Sequence, residues 1–169
     1  FDKNLAEIQN NSAFKLLLQG AALCNDSIIK GNLQTIGDPT ETALVVAAAK
    51  AGLPKNELEI NMPRVAEEPF DSGRKRMTTV HKDPRSGKYI AFTKGAVDSL
   101  LDVCSQIWNG DHAEVLDEKW KERISKANNS LAESGTRVLG VAFRTSNEPS
   151  AVEKDLIFIG MIGMIDPPR

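Results

Sequence analysis

Three consecutive strand-like segments, Arg64 to Phe70, Met77 to Lys82 and Tyr89 to Thr93, constrain the fold of this chain more than any other feature. The last two are separated by Asp83-Pro84-Arg85-Ser86-Gly87, whose Pro and Gly suit a tight reversal, so this pair is expected to be an antiparallel hairpin. A hairpin cannot bury an apolar face alone, and the rest of the chain must extend its sheet or wall it in. Arg137 to Phe143 and Leu156 to Ile162 are apolar enough for central strands. A smaller hairpin is suggested by Ile107-Trp108 and Ala113 to Leu116 around Asn109-Gly110-Asp111.

Helical segments alternate with these strands. After a polar lead, Phe1 to Asn11, Ser12 is expected to cap a buried helix reaching Leu23. Ile28 to Ile36, interrupted by Gly31-Asn32, reads as loop with a short strand. Asp38 and Pro39 suit the cap and first residue of a helix running through Ala51 and stopping at Gly52. Lys55 to Asn61 and Val97 to Val103 read as short helices. Asp117 caps the longest one, to about Ser134, with Trp120, Ile124, Ala127 and Leu131 at helical spacing and Gly135 at its end. Asp166-Pro167-Pro168-Arg169 cannot pair inside a sheet and reads as a rigid exit linker. This mixture of strands and helices reads as an α/β domain. With 169 residues and 41% hydrophobic content, the chain 1–169 is expected to form a single domain.

Composition excludes several function classes. A net charge of -2 gives no bulk attraction to nucleic acid or to an anionic membrane, so an anion site must be local. The two cysteines, Cys24 and Cys104, lack metal-ligand spacing and are expected to be reduced core thiols, with a disulfide between them the lesser alternative. The longest apolar run, Leu156 to Ile165, is well short of the ~20 residues of a membrane helix, and no charged-then-apolar leader opens the sequence. His81 and His112 stand apart from each other and from the cysteines, which argues against a metal site or a catalytic pair. There is no Gly-x-x-x-x-Gly-Lys-Ser/Thr loop and no dinucleotide fingerprint.

The stretch Glu68 to Ala96 holds the candidate chemistry. Phe70 offers a π-face, Arg74-Lys75-Arg76 offer charge, and Lys94-Gly95 end an apolar strand where the backbone allows close approach. A purine nucleotide could use all three. Each also has an ordinary structural reading: Phe70 as core, Lys94 as a solvated strand end, the basic triplet as a solvated turn. Glu41, three residues after Asp38, either folds back on the helix backbone, the commoner use of that spacing, or accepts a hydrogen bond from a ligand amino group.

Six motifs, in order, carry a resemblance. They are Cys24-Asn25-Asp26, Gly37-Asp38-Pro39-Thr40-Glu41-Thr42-Ala43-Leu44, Phe70 with Arg74-Lys75 and Met77, Lys94-Gly95-Ala96, Arg137-Val138-Leu139 and Asp166-Pro167-Pro168-Arg169. Together they resemble the nucleotide-binding domain of P-type cation-transporting ATPases, most closely the calcium-pump branch, and the resemblance implies an α/β (α+β) fold, an antiparallel sheet flanked by helices, joined to a phosphorylation domain by two linkers, one of them Asp166 to Arg169. The resemblance implies that Phe70 stacks on adenine, Glu41 binds the adenine amino group and Lys94 lines the bottom of the base pocket, with Gly95 allowing close approach. It further implies that Arg137 reaches the phosphates, Lys75 borders the pocket, and Met77 and Leu139 pack near the base. Animal endoplasmic calcium pumps carry Arg where Ser72 stands, so a phosphate contact there is missing or passes to Arg74. The Lys-Gly-Ala motif often continues Pro-Glu in the family, whereas Val97-Asp98 follow here, so the helix start is expected to be less sharply defined.

The family transfers the γ-phosphoryl group of ATP to an Asp in an Asp-Lys-Thr-Gly-Thr sequence, which is absent from these 169 residues. The resemblance therefore implies ATP, as Mg2+-ATP in a parent enzyme, delivered to an Asp on a separate domain, with calcium the favoured ion. This chain would be a monomeric cytoplasmic piece of a membrane-embedded parent, partnered by the phosphorylation and actuator domains, with no nucleic acid and no direct membrane contact. A stand-alone phosphotransferase and a non-catalytic interaction domain are the alternatives.

Overall fold

The computed structural model describes residues 10–30 and 34–165. The polar lead up to residue 9, the Gly31-Asn32 interruption and the Asp166 to Arg169 linker lie outside the described residues. Helix α1 spans Ser12–Leu23, followed by a small antiparallel hairpin of β1 (Ile28–Lys30) and β2 (Gln34–Ile36). Helices α2 (Pro39–Lys50) and α3 (Lys55–Asn61) precede β3 (Arg64–Asp71), β4 (Arg76–Lys82) and β5 (Tyr89–Gly95). Next come α4 (Val97–Leu101), β6 (Cys104–Trp108), β7 (Ala113–Val115), α5 (Glu118–Glu133), β8 (Arg137–Ser146) and β9 (Leu156–Met164).

Seven strands form one sheet in the order β3-β4-β5-β8-β9-β6-β7. The central placement of β8 and the β4-β5 hairpin, registered Met77 to Lys94 and His81 to Ile90, match the sequence reading. One pairing departs from it: β6 runs parallel to β9, so the sheet is antiparallel except at that step. The cause lies in the connection, because β5, α4 and β6 form a crossover and a crossover returns the chain in its original direction. Two local readings also need correction. The cap of α1 is Asn11, whose side chain accepts from Phe14 N–H at 3.1 Å, while the Ser12 hydroxyl donates to the Gly110 carbonyl. Helix α4 ends at Leu101 instead of Val103, and no side chain caps its start at Ala96.

Side-chain alternation along the strands divides the apolar residues between two faces. One face carries Met77, Phe92, Val141, Phe143 and Ile159 and is covered by α1, α2 and α3 through Ala21, Leu23, Leu44 and Met62. The other carries Ala142, Leu156 and Phe158 and is covered by α4 and α5 through Val97, Leu100 and Ile124. Helix α1 lies close to the first face at Gly20, where a Cβ would meet Phe92 at 2.7 Å and Val141 at 2.9 Å.

A cleft walled by the central strands and the start of helix α2

The first face is only partly covered. Beyond the apolar contact, Met77 of β4, Lys94 of β5 and Leu139 and Arg137 of β8 continue its alternation into a cleft of about 490 Å³. Phe70 at the end of β3, Lys75 in the following turn and Gly95 complete the sheet side, and Asp26, Asp38, Thr40 and Glu41 form the opposite wall. The cleft thus collects eight of the residues singled out in the sequence, Glu41, Phe70, Lys75, Met77, Lys94, Gly95, Arg137 and Leu139. Ser72 and Arg74 are not part of its lining.

Three ordinary readings fail on the structure. Phe70 is 62% exposed and is no core residue, because the ring stands at the end of an edge strand where no helix covers it. Lys94 is no solvated strand end. It is 5% exposed, and its Nζ donates to Glu41 Oε1 at 2.7 Å. Glu41 does not fold back on its own helix: its second oxygen accepts from Asp26 N–H at 3.0 Å. That hydrogen-bonding capacity could not be read from local spacing, since Lys94 lies 53 residues away. Two carboxylate oxygens that each accept one hydrogen bond still have lone pairs free for a donor in the cleft.

The helix start performs its expected local task. Asp38 Oδ1 accepts from Thr40 N–H at 2.8 Å, and that bond, with a smaller contribution from the Arg137 cation, holds the Asp38 carboxyl below the usual carboxylate range. Arg137 donates to the Thr40 hydroxyl across the cleft. Asp26, Asp38 and Thr40 were named as motif residues but not as pocket wall, and the Cys24-Asn25-Asp26 and Asp38-to-Glu41 motifs were the signal that could have placed them there.

The loop before β1 is fastened by two cations that sequence reasoning missed. Lys55 Nζ donates to the carbonyls of Asn25 and Ser27, both at 2.7 Å, and Arg64 donates to the Asn25 carbonyl and to Asp26 Oδ1, each at 2.8 Å. Burial works hardest to lower the Lys55 pKa, and nearby Glu59 opposes it. This fastening presents the Asp26 N–H to Glu41.

The turn between β3 and β4 brings Lys75 round with φ +53°, a left-handed conformation that costs a residue with a Cβ roughly 1–2 kcal/mol. Its carbonyl accepts from Ala96 N–H at 3.0 Å, and Gly95 must pass so close that a Cβ there would lie 2.4 Å from that oxygen. His81 lies on the same face, farther along β4 and buried. Nδ1 faces the Met62 carbonyl at 3.0 Å and Nε2 faces Thr79 Oγ1 at 2.9 Å, so Nδ1 carries the proton in the neutral ring. Cys24 and Cys104 are both free and buried. Among the described residues no group of three or more His, Cys, Asp or Glu side chains could hold a metal ion, and no helix is long and apolar enough to cross a membrane.

Comparison with known proteins agrees with the motifs. The family model described as P-type ATPase, cytoplasmic domain N, matches residues 13–169. The chain is 44% identical over 164 residues to calcium-transporting ATPase 1 of Bacillus cereus, which covers 95% of this chain and 18% of that protein. It is 38% identical to calcium-transporting ATPase 1 of Lactococcus lactis, over 92% of this chain and 18% of the relative. Identity to a calcium-transporting ATPase of Bacillus subtilis is 37%, over 99% of this chain and 20% of the relative. The chain therefore spans about a fifth of the length of these curated relatives.

Proposed function

Since this chain belongs to the P-type ATPase cytoplasmic domain N family, we propose that it binds ATP and positions it for phosphoryl transfer to an Asp on a separate domain of a membrane-embedded, cation-transporting parent, with calcium the ion. The observation that carries this reading is the convergence of Phe70, Glu41 and Lys94 on one cleft: an exposed ring, a fixed carboxylate and a buried ammonium. Adenine stacks on Phe70 and gives its exocyclic amine to Glu41. Met77 and Leu139 pack beside the base, and Lys75 and Arg137 meet the phosphates of Mg2+-ATP. Ser72 and Arg74, the other candidate phosphate contacts, take no part in the cleft lining. The chemistry happens when the parent's domains close and bring the γ-phosphate to its acceptor, with the actuator and phosphorylation domains as partners.

The lining carries three cations, Lys75, Lys94 and Arg137, and three carboxylates, Asp26, Asp38 and Glu41. A polyphosphate tail therefore meets no large net positive field, and contacts to the base dominate. Stacking worth ~1–3 kcal/mol and one or two charge-assisted hydrogen bonds, less the cost of association, put the dissociation constant between about 10 µM and 1 mM. Titration calorimetry on the 169-residue chain is expected to give ATP, ADP and AMP affinities within about tenfold of one another. Phe70→Ala should weaken ATP binding by roughly fivefold to a hundredfold, and more than Arg76→Ala does. A silent titration together with unmoved Phe70 and Lys94 resonances would overturn the reading, and equal losses in the two variants would move the site from the ring to the basic turn.

A further inference from the structure

We propose that Glu153, in the connection between β8 and β9, is a positioning residue for the nucleotide cleft: from behind the sheet it holds Arg74 and Arg76 so that Lys75 alone of the basic triplet is presented to the ligand. The inference rests on the ATP-binding reading of the cleft and names a residue outside its walls.

The geometry is specific. The Glu153 side chain is 8% exposed although it lies in a connection rather than in a strand or helix. Its Oε2 accepts from Arg74 Nη1 and, at 2.7 Å, from Arg76 Nε, and its Oε1 accepts from the Thr78 hydroxyl at 2.9 Å. Thr78 Oγ1 is in turn 2.8 Å from Thr93 Oγ1, which ties the carboxylate to both strands of the central hairpin. Arg76 Nη1 also donates to Ser99 Oγ at 2.9 Å, and the Ser99 hydroxyl donates to the Arg74 carbonyl.

Alternation explains why the contact lies on the reverse side. Met77 points into the cleft, so its neighbours Arg76 and Thr78 point to the opposite face, where Glu153 waits. Arg74 and Arg76 flank Lys75 and both end on the same oxygen of Glu153. The other Nη of Arg74 is taken by Glu68 Oε1 at 3.2 Å and the Pro69 carbonyl at 2.8 Å. Two of the three cations are therefore committed to protein partners, and the left-handed residue between them is the one that lines the cleft. A surface ion pair would be worth little, but a carboxylate enclosed by two guanidinium groups and a hydroxyl loses its whole arrangement when its charge is removed.

The test is a double-mutant cycle on the 169-residue chain, read by ATP titration and by the resonances of Phe70 and Lys75. Glu153→Gln is expected to weaken ATP binding about fivefold and to move both resonances in the unliganded chain. In a Lys75→Ala background the same change should cost less than twofold, because the cation being positioned is already gone. A purely structural Glu153 would weaken binding equally in both backgrounds, and that additivity would overturn the proposal. An unchanged ATP affinity in folded Glu153→Gln would overturn it too. If Glu153→Gln does not fold, Thr78→Val removes the Oε1 partner and the link to Thr93 but leaves both arginines on Oε2, and must show a smaller loss with the same dependence on Lys75; no such dependence refutes the proposal. Failure of the wild-type chain to bind ATP would sink the nucleotide reading itself, and is distinguishable from these results.

Discussion

His81 is a residue whose surroundings make the stability of the fold depend on pH. Burial, helped by the Arg64 and Lys55 cations and opposed by the Met62 carbonyl, pushes its pKa from 6.5 down to about 4. The folded state therefore prefers the neutral ring. The contribution is complete above about pH 6.5 and fades as pH falls towards about 4, because the unfolded chain takes up the proton first. By pH 5 the loss is about 2 kcal/mol, or ~4–8 °C in Tm for a chain of this length. Thermal melts between pH 7.5 and 5 should show that fall in the wild type and a flatter profile in His81→Gln; parallel profiles would mean the ring is not desolvated. The sequence reading places His81 in the strand segment Met77 to Lys82, where the structure also has it. What it could not supply was the burial of the ring, set against Met62 after α3 and Phe92 of β5. Glu41 and Lys94 were harder to read for the same reason: each looks like an exposed residue locally, and their ion pair exists only once the start of α2 is brought to the end of β5.

At the scale of elements, the junction of β5 with α4 is the tightest part of the site. Gly95 runs beside the β3-β4 turn, where an added Cβ would lie 2.4 Å from the Lys75 carbonyl and 2.5 Å from Arg76 Cβ. The first of these neighbours is backbone and cannot rotate away. Gly95→Ala should therefore cost about 1–3 kcal/mol of stability by overpacking and should loosen ATP binding by displacing Lys75. A melting temperature within 1 °C of the wild type would contradict this close approach. Most elements here were legible because their signals are local: alternation and the Pro84-to-Gly87 reversal for the β4-β5 hairpin, Asp38-Pro39 for α2, Asp117 and Gly135 for α5. The parallel step between β6 and β9 was not, since no short window distinguishes a strand returning by crossover from one returning by hairpin. The cap of α1 was misplaced by one residue because Asn11 and Ser12 are both good capping residues, and only the backbone decides between them.

Across the whole molecule, the sheet divides the interior into two apolar compartments; the cleft opens on the face of one, and the Glu153 contact lies on the opposite face. The cleft became legible in the sequence through motifs in order, not through composition: a net charge of -2 hides both the cations at the cleft and the two arginines neutralised behind it. Cys24 lies in the first compartment, its Sγ donating to the Met77 carbonyl, and Cys104 lies in the second. Burial raises the pKa of both thiols, that of Cys104 to about 12. Each is therefore nearly inert to an alkylating reagent until its own side of the protein breathes. The chain thus carries a pair of chemical clocks: ATP should slow labelling at Cys24 more than at Cys104 if the helices over the first face breathe separately, whereas equal slowing would mean that the two layers melt together.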